Sequence, residues 1–406
     1  MDYDQLLTGC CEVGVQILRF GGEIPRAEDT VRRLLAAYGL RGEVFAVPNC
    51  IWASAAAPDG RVHTVMRRVP AIANDVEGIE RFNDLSRRLC AAPPEDPAVI
   101  LRHCRETLDQ LRAYPAVFQL AGYFVGAFFF ALFFSGSWVE AAAAGLSGLA
   151  SGAVLLALTR AQANGFLTTL CSAFALGVAA YSLPALGVPV NIEVTIAGAI
   201  MVLVPGLVFT SFMSDLLTGD MLAGVATFTR AVLSAGAIAL GTIGAIALFH
   251  GVPAGTTTIQ TVDHSGLLCC VFAFVACVGF CPAFNVQGVG ALLCSLGGAI
   301  GWAVYLVVMF LGGNSFTSTL AAAIAVAAYS EIMARVRKCP ATSYLLIAMF
   351  PLVPGLTIYQ AMDHGIRGDT ELFWETFFRT FGIAGCIALG LLLVSSVSGL
   401  LRRWRR

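Results

Sequence analysis

Five residues, Leu203-Val204-Pro205-Gly206-Leu207, return 149 positions later as Leu352-Val353-Pro354-Gly355-Leu356. Met213 and Gly219-Asp220 return at the same offset as Met362 and Gly368-Asp369. Both copies lie in long apolar stretches, and in each a Pro-Gly pair interrupts what would otherwise be one membrane-spanning helix. Backbone groups freed inside a bilayer must find partners in protein, solute or trapped water. Matched interruptions in two apolar halves are the sequence sign of a repeat-built transporter.

Charge placement divides the chain. The apolar fraction is 57%, above the roughly 45–50% of soluble domains. Residues 1–113 hold 14 Arg and 16 Asp or Glu, while the remaining 293 residues hold only 11 basic and 10 acidic groups. A soluble domain over 1–113 therefore precedes an integral membrane domain. Asp2, Asp4 and Glu12 interrupt the first twenty residues, which lack a basic start, so no cleavable signal peptide is expected and the soluble domain is expected in the cytosol. A net charge of -1 without a basic, aromatic-interleaved patch argues against a nucleic-acid partner. The 13 Cys form no CxxC pair, so they read as buried thiols, and neither a metal nor a cofactor is expected.

The soluble part reads as a small α+β unit. Helices are expected over Asp4–Phe20, from Pro25 to Tyr38, after Asn74 or Asp75, and near Val99–Arg112. Strand-like runs occupy Glu43–Val47, Ile51–Ala57 and Val62–Arg67. From Tyr114 onward come ten apolar spans of about 20 residues. They lie near 115–135, 138–158, 165–186, 192–214, 222–249, 266–282, 288–311, 316–334, 341–363 and 373–400. With the soluble domain inside, Arg160, Arg230, Arg335, Arg337, Lys338 and the Arg-rich tail fall on the cytosolic side. Glu140, Asp263, Asp369 and Glu371 fall outside, with Arg367 the one basic exception. Five spans per half, over 114–262 and 263–406, is an odd number, so the two repeats must be inverted. The expected fold is mainly α: a polytopic α-helical membrane protein with two inverted five-span repeats, preceded by the cytosolic domain.

Several stretches resemble the threonine/serine exporter family. Gly22-Glu23 with Arg26-Ala27-Glu28-Asp29-Thr30, then Glu43–Pro48 and Asn83–Arg88, are similar to its cytosolic domain. Gly198–Leu207 with Leu217–Asp220 resembles its first membrane half, and Phe284-Asn285-Val286, Ala334–Ala341 and Pro351–Leu356 its second. The resemblance runs through nearly the whole chain in order. It departs at Val47-Pro48-Asn49-Cys50-Ile51, where Thr-Pro-Thr-Gly-Ile is commoner, and at Gln287, where Pro often follows Val. The resemblance implies a ten-span exporter of the prokaryotic inner membrane, driven by protons, that moves threonine, serine or similar small hydroxy amino acids outward. In some relatives the halves are separate proteins and the solute is a dicarboxylate such as succinate. No Arg or Lys lies deep in the expected spans, which favours a zwitterion over a dianion. A membrane-anchored sensor is the rival from another class, and two breaks in opposite orientation serve it no purpose. A homo-oligomer stays open.

Candidate residues follow from the breaks. Pro205, Gly206, Pro354 and Gly355 would free carbonyls and amides near the midplane, and half-helix ends attract the charges of a zwitterion. Proline kinks that only improve packing are the competing explanation. Thr210, Ser211 and Tyr359 lie just beyond the breaks and could read a substrate hydroxyl. Asn285 is either a substrate contact or a joint between helices. Asp215, Glu193, Glu331 and His364 are the proton-coupling candidates, since ionisable groups near membrane depth tend to pair, neutralise or serve transport. Each has a plainer role: helix-end carboxylates for Asp215 and Glu193, an ion pair with Arg335 for Glu331, a solvated imidazole for His364. The repeated Gly219-Asp220 and Gly368-Asp369 suit turns that end one helix and cap the next. The soluble domain has no Walker-type loop and no GxSxG, so neither ATP hydrolysis nor enzymatic catalysis is expected.

Overall fold

The computed structural model describes residues 2–70, 74–204, 206–219, 221–249 and 266–404. These form two compact units. The first contains residues 1–113 together with Phe284–Gln287 and Met333–Ser343; the second contains the rest.

In the first unit, α1 (Tyr3–Arg19) starts where the Asp2 carboxylate accepts the Gln5 N–H at 3.0 Å. α2 (Ile24–Ala37) carries Pro25 in its first turn, where no N–H is needed. Strands β1 (Gly42–Val47), β2 (Cys50–Ala56) and β3 (Val62–Arg68) follow as an antiparallel sheet in the order β1-β2-β3. Alternation sends Val44, Ala46, Ile51, Ala53 and Ala55 to the face packed on α1 and α2. Phe45, Trp52 and Met66 stand in one row on the opposite face. The free edge of β1 is occupied by side chains of α2. Glu28 accepts the Ala46 N–H at 2.8 Å, and Arg32 donates to the Val44 carbonyl at 3.5 Å. Such cover keeps an edge strand from pairing with another chain. α3 (Val76–Ala91) and α4 (Ala98–Asp109) complete the helical layer. Leu6, Leu34, Leu35 and Phe82 are fully buried in the core between the elements, each contributing about 1.5–3 kcal/mol.

The second unit is helical. Its elements are α5 (Ala116–Phe133), α6 (Trp138–Arg160), α7 (Gly165–Ala185), α8 (Ile192–Ile200), α9 (Gly206–Thr218) and α10 (Met221–Leu248). After the undescribed 250–265 come α11 (Gly266–Phe280), α12 (Val289–Phe310), α13 (Ser315–Arg337), α14 (Thr342–Ala348), α15 (Gly355–Arg367) and α16 (Thr370–Trp404). Among the described residues, seven helices are long and apolar enough to cross a membrane: α5, α6, α7, α10, α12, α13 and α16. α11 is apolar but shorter. The two remaining apolar stretches, near 192–214 and 341–363, are each two short helices, α8 with α9 and α14 with α15. A proline in a helix interior removes one hydrogen bond and clashes with the preceding turn, which accounts for both splits.

The spacing of these helices repeats. α9 and α15 each have 13 residues and start at positions 206 and 355, the offset of the sequence motif. α10 and α16 start at 221 and 370, again that offset. α5 and α11 cross closely: a Cβ on Gly122 would overlap the Gly279 carbonyl, and one on Gly279 would stand 2.6 Å from the Gly126 nitrogen. Small residues let helices approach this closely where lipid gives no hydrophobic drive to associate.

Candidate functional site

Both breaks are built by the same hydrogen bonds. α8 ends at Ile200, whose carbonyl accepts from Leu203 N–H at 2.8 Å and Val204 N–H at 3.1 Å. At the matching positions, the Met349 carbonyl accepts from Leu352 N–H at 2.9 Å and Val353 N–H at 3.1 Å. The chain turns tightly once and then restarts as a helix beyond the proline. Pro354 stands at the N-cap of α15, while Pro205 lies outside the described residues. The two breaks also touch. A Cβ built on Gly355 would overlap the Val204 side chain, with the Val204 Cβ itself only 3.2 Å away. Gly355 is thus demanded by contact with the other break, not by its own backbone angles.

The helices leaving the breaks end alike. Gly219 (φ 89°) and Gly368 (φ 86°) take the left-handed conformation that glycine adopts without steric cost. Met221 N–H bonds to the Gly219 carbonyl and Thr370 N–H to that of Gly368, both at 3.0 Å. Asp369 donates its N–H to the His364 carbonyl at 2.9 Å; its counterpart Asp220 lies outside the described residues. α9, α10, α15 and α16 share one apolar cluster of Phe212, Ala231, Ala235, Ile358 and Ala384. Phe212 packs on Phe228 and Phe381 at ring-centroid distances of 4.9 and 5.7 Å. The contacts exchange between copies: α9 packs on α16 as α10 packs on α15. A cavity of about 10 Å³ between α10, α15 and α16 is lined by Ala235, Ile358, Ala361, Met362 and Thr380. That volume is far below an amino acid.

Polar groups gather beside the second break. Thr357 donates its hydroxyl to the Pro354 carbonyl at 3.0 Å, and the buried Thr380 hydroxyl lies 2.8 Å from that of Thr357. Thr380, on α16, carries no sequence signal that singles it out; only packing brings it to the break. Tyr359 is partly buried on α15, and Ser211 is exposed on α9. The side chains of Gly206's neighbour Leu207 and of Thr210 lie outside the described residues.

The ionisable candidates are dispersed. Asp215 accepts from the Thr227 hydroxyl of α10 at 3.2 Å. Glu193 is exposed in the first turn of α8, where Asn191 supplies the cap. Glu331 accepts from the Ser398 hydroxyl at 2.9 Å, joining α13 to α16, a partner its spacing to Arg335 does not suggest. His364 Nδ1 stands 4.0 Å from Asp369 Oδ2. Asn285 is placed in the first unit, where its amide donates to Asp75 Oδ1 at 2.9 Å. Sequence reasoning missed Asp75, whose only local signal is that of a helix cap.

Comparison with known proteins finds matches along most of the chain. Residues 9–249 match a family model described as "Putative threonine/serine exporter", and residues 269–397 match one described as "Threonine/Serine exporter, ThrE". A curated threonine/serine exporter of Corynebacterium glutamicum is 26% identical over 252 residues, covering 59% of this chain and 49% of the relative. The match thus spans about half the length of that curated relative. No solved structure matches the chain significantly.

Proposed function

This chain belongs to the threonine/serine exporter family, and on that premise we propose that it is a secondary active exporter of small hydroxy amino acids. Protons moving inward across a prokaryotic inner membrane drive the solute outward. The observation that carries this reading is the contact of Val204 with Gly355, which joins two breaks of equal construction. Where two unwound segments meet, unpaired backbone groups and half-helix ends are available to a zwitterion. Gly206, Pro354 and Gly355 form the floor of the chamber; Pro205, the sequence candidate beside them, lies outside the described residues. Ser211, Tyr359, Thr357 and Thr380 supply hydroxyls for the solute side chain, and Thr210 remains a candidate from the sequence alone. Solute enters as the helices around the two breaks part.

The halves 114–262 and 263–406 are inverted repeats of five spans each, and the site opens alternately to either face. Two facts support this topology: the repeated helix starts, and the presence of Phe284–Gln287 and Met333–Ser343 in the same unit as residues 1–113. Both of those connections face the cytosol if the soluble domain does. Asp215 and His364, on the two helices that leave the breaks, are the proposed proton carriers; Glu193 and Glu331 stand in reserve at α8 and α13.

Purified protein in liposomes loaded with labelled threonine or serine tests the reading. Efflux accelerated by an inward proton gradient is expected. Efflux indifferent to that gradient removes the antiport, and movement of succinate but neither amino acid changes the cargo.

A further inference from the structure

The first unit includes more than the amino-terminal residues. Phe284–Gln287 connects α11 to α12, and Met333–Ser343 carries the end of α13 into α14. α14 then runs directly into the Pro351–Pro354 break. Specific polar contacts hold both connections in this unit. Val76 N–H donates to the Phe284 carbonyl at 3.0 Å. Asp75 Oδ1 accepts both the Gly78 N–H at 3.0 Å, as the cap of α3, and the Asn285 amide at 2.9 Å. Gln287 donates its amide to Asn285 Oδ1 at 3.1 Å and to the Arg112 carbonyl. Arg87, on α3, donates to the Lys338 carbonyl. Glu80, one turn beyond the cap, faces Arg337, Cys339 and Ser343.

Asn285 is the centre of this arrangement. It is only 7% exposed, with both ends of its amide engaged, and its backbone is left-handed at φ 52°. Asparagine tolerates that conformation better than most side chains, so the residue suits the position twice. A buried amide with both ends paired is costly to leave half-satisfied. A joint of this kind defines one position of the connection, where an apolar contact would allow many.

We propose that the Asp75–Asn285 pair is a joint that fixes the Phe284–Gln287 connection within the first unit, as Arg87 and Glu80 of α3 fix Met333–Ser343, and that the rate of transport depends on both connections being held. Neither residue touches the solute. They act through the helices whose ends they hold, so their loss lowers the maximal rate of transport and leaves the apparent affinity unchanged. The proposal rests on the exporter reading above.

Three variants of the full chain in liposomes test it. N285G keeps the left-handed backbone and removes only the amide. N285D sets a second carboxylate against Asp75. The exchange D75N/N285D restores a cap for α3 and an amide-to-carboxylate bond in the reverse sense. Maximal efflux is expected to fall by about tenfold in N285D, less in N285G, and to recover in the exchange, with KM constant throughout. A second readout does not involve transport: trypsin should cut after Arg335, Arg337 or Lys338 several-fold faster in N285D, and at the original rate in the exchange. Wild-type efflux or wild-type cleavage in N285D overturns the proposal. So does failure of the exchange to restore both, and so does a rise in KM at constant maximal rate, which would mark a solute contact. If the wild-type protein moves neither amino acid, the exporter reading fails, while the cleavage rates still decide whether the joint exists.

Discussion

The backbone N–H of Asn191 donates to Glu140 Oε1 at 2.9 Å, while Glu140 Oε2 accepts the Ser137 N–H at 2.7 Å. Glu140 is 3% exposed. One carboxylate thus closes the capping box of α6 and fixes the start of α8, the helix that leads into the first break. Glu140→Ala leaves two partly buried N–H groups without acceptors, at a cost of up to about 1–3 kcal/mol each. Glu140→Gln keeps one acceptor and should fall between. Melting temperatures of the three proteins in detergent are expected in the order wild type, Gln, Ala; equal values would show that solvent replaces the carboxylate.

Contact between the breaks predicts a size rule. Gly355→Ala sets a methyl group against Val204, and overpacking of this kind costs about 1–3 kcal/mol. Efflux should drop while membrane insertion persists. Val204→Ala in the same chain removes the colliding methyl groups and should recover much of the rate. A double variant no better than Gly355→Ala would separate the function of Gly355 from its contact with Val204.

The hydroxyl pair at the second break predicts a chemical rule. Thr380→Val keeps the shape and removes the hydroxyl that lies 2.8 Å from Thr357; Thr380→Ser keeps the hydroxyl and removes a methyl. Serine and threonine efflux should fall several-fold in the valine variant, in keeping with the loss of one hydrogen bond worth about 1 kcal/mol, and survive in the serine variant. The opposite ranking would assign Thr380 to packing.

Acidity should act on the joint in the first unit. Burial raises the Asp75 carboxyl above its ordinary 3.8, against the lowering pull of the Gly78 N–H and the Asn285 amide. Burial likewise raises Glu80, against the nearby Arg337 charge. A raised folded-state value means that the folded chain holds the proton more tightly than the unfolded chain. The contribution of Asp75 to stability is therefore full below 3.8 and is lost as pH climbs through the raised value. Hydrogen exchange of residues 76–91, corrected for intrinsic rates, should show weaker protection above this window than below it. Asp75→Asn cannot titrate and should flatten part of that slope; an unchanged slope would assign it to Glu80 or elsewhere.

Much of this architecture can be read along the chain. The helix starts expected at Asp4, after Asp75, near 138 and near 192 form within a residue or two of those places, and Asp2, Asp75, Ser137 and Asn191 supply the caps there, each acting on N–H groups two or three residues away. The turns at Gly219 and Gly368 are equally local. Partner choice is not. Besides Arg335, the partner that spacing suggests four residues on along its own helix, Glu331 has a partner that no spacing suggests, Ser398, which donates to it from another helix. Asn285 meets an aspartate 210 residues earlier in the chain. Spacing along one helix says which residues share a face, and says nothing about what that face meets.

By itself, then, the amino-acid order determined the polarity boundary near residue 113, the apolar stretches, and two proline breaks 149 residues apart, because hydropathy and a missing N–H act within a few residues. Only the tertiary structure decided that Val204 lies on Gly355, that Thr380 reaches Thr357, and that Asp75 holds Asn285. Those pairings arise from helices packed side by side across long separations in the chain, and such packing depends on the shape of every surface involved.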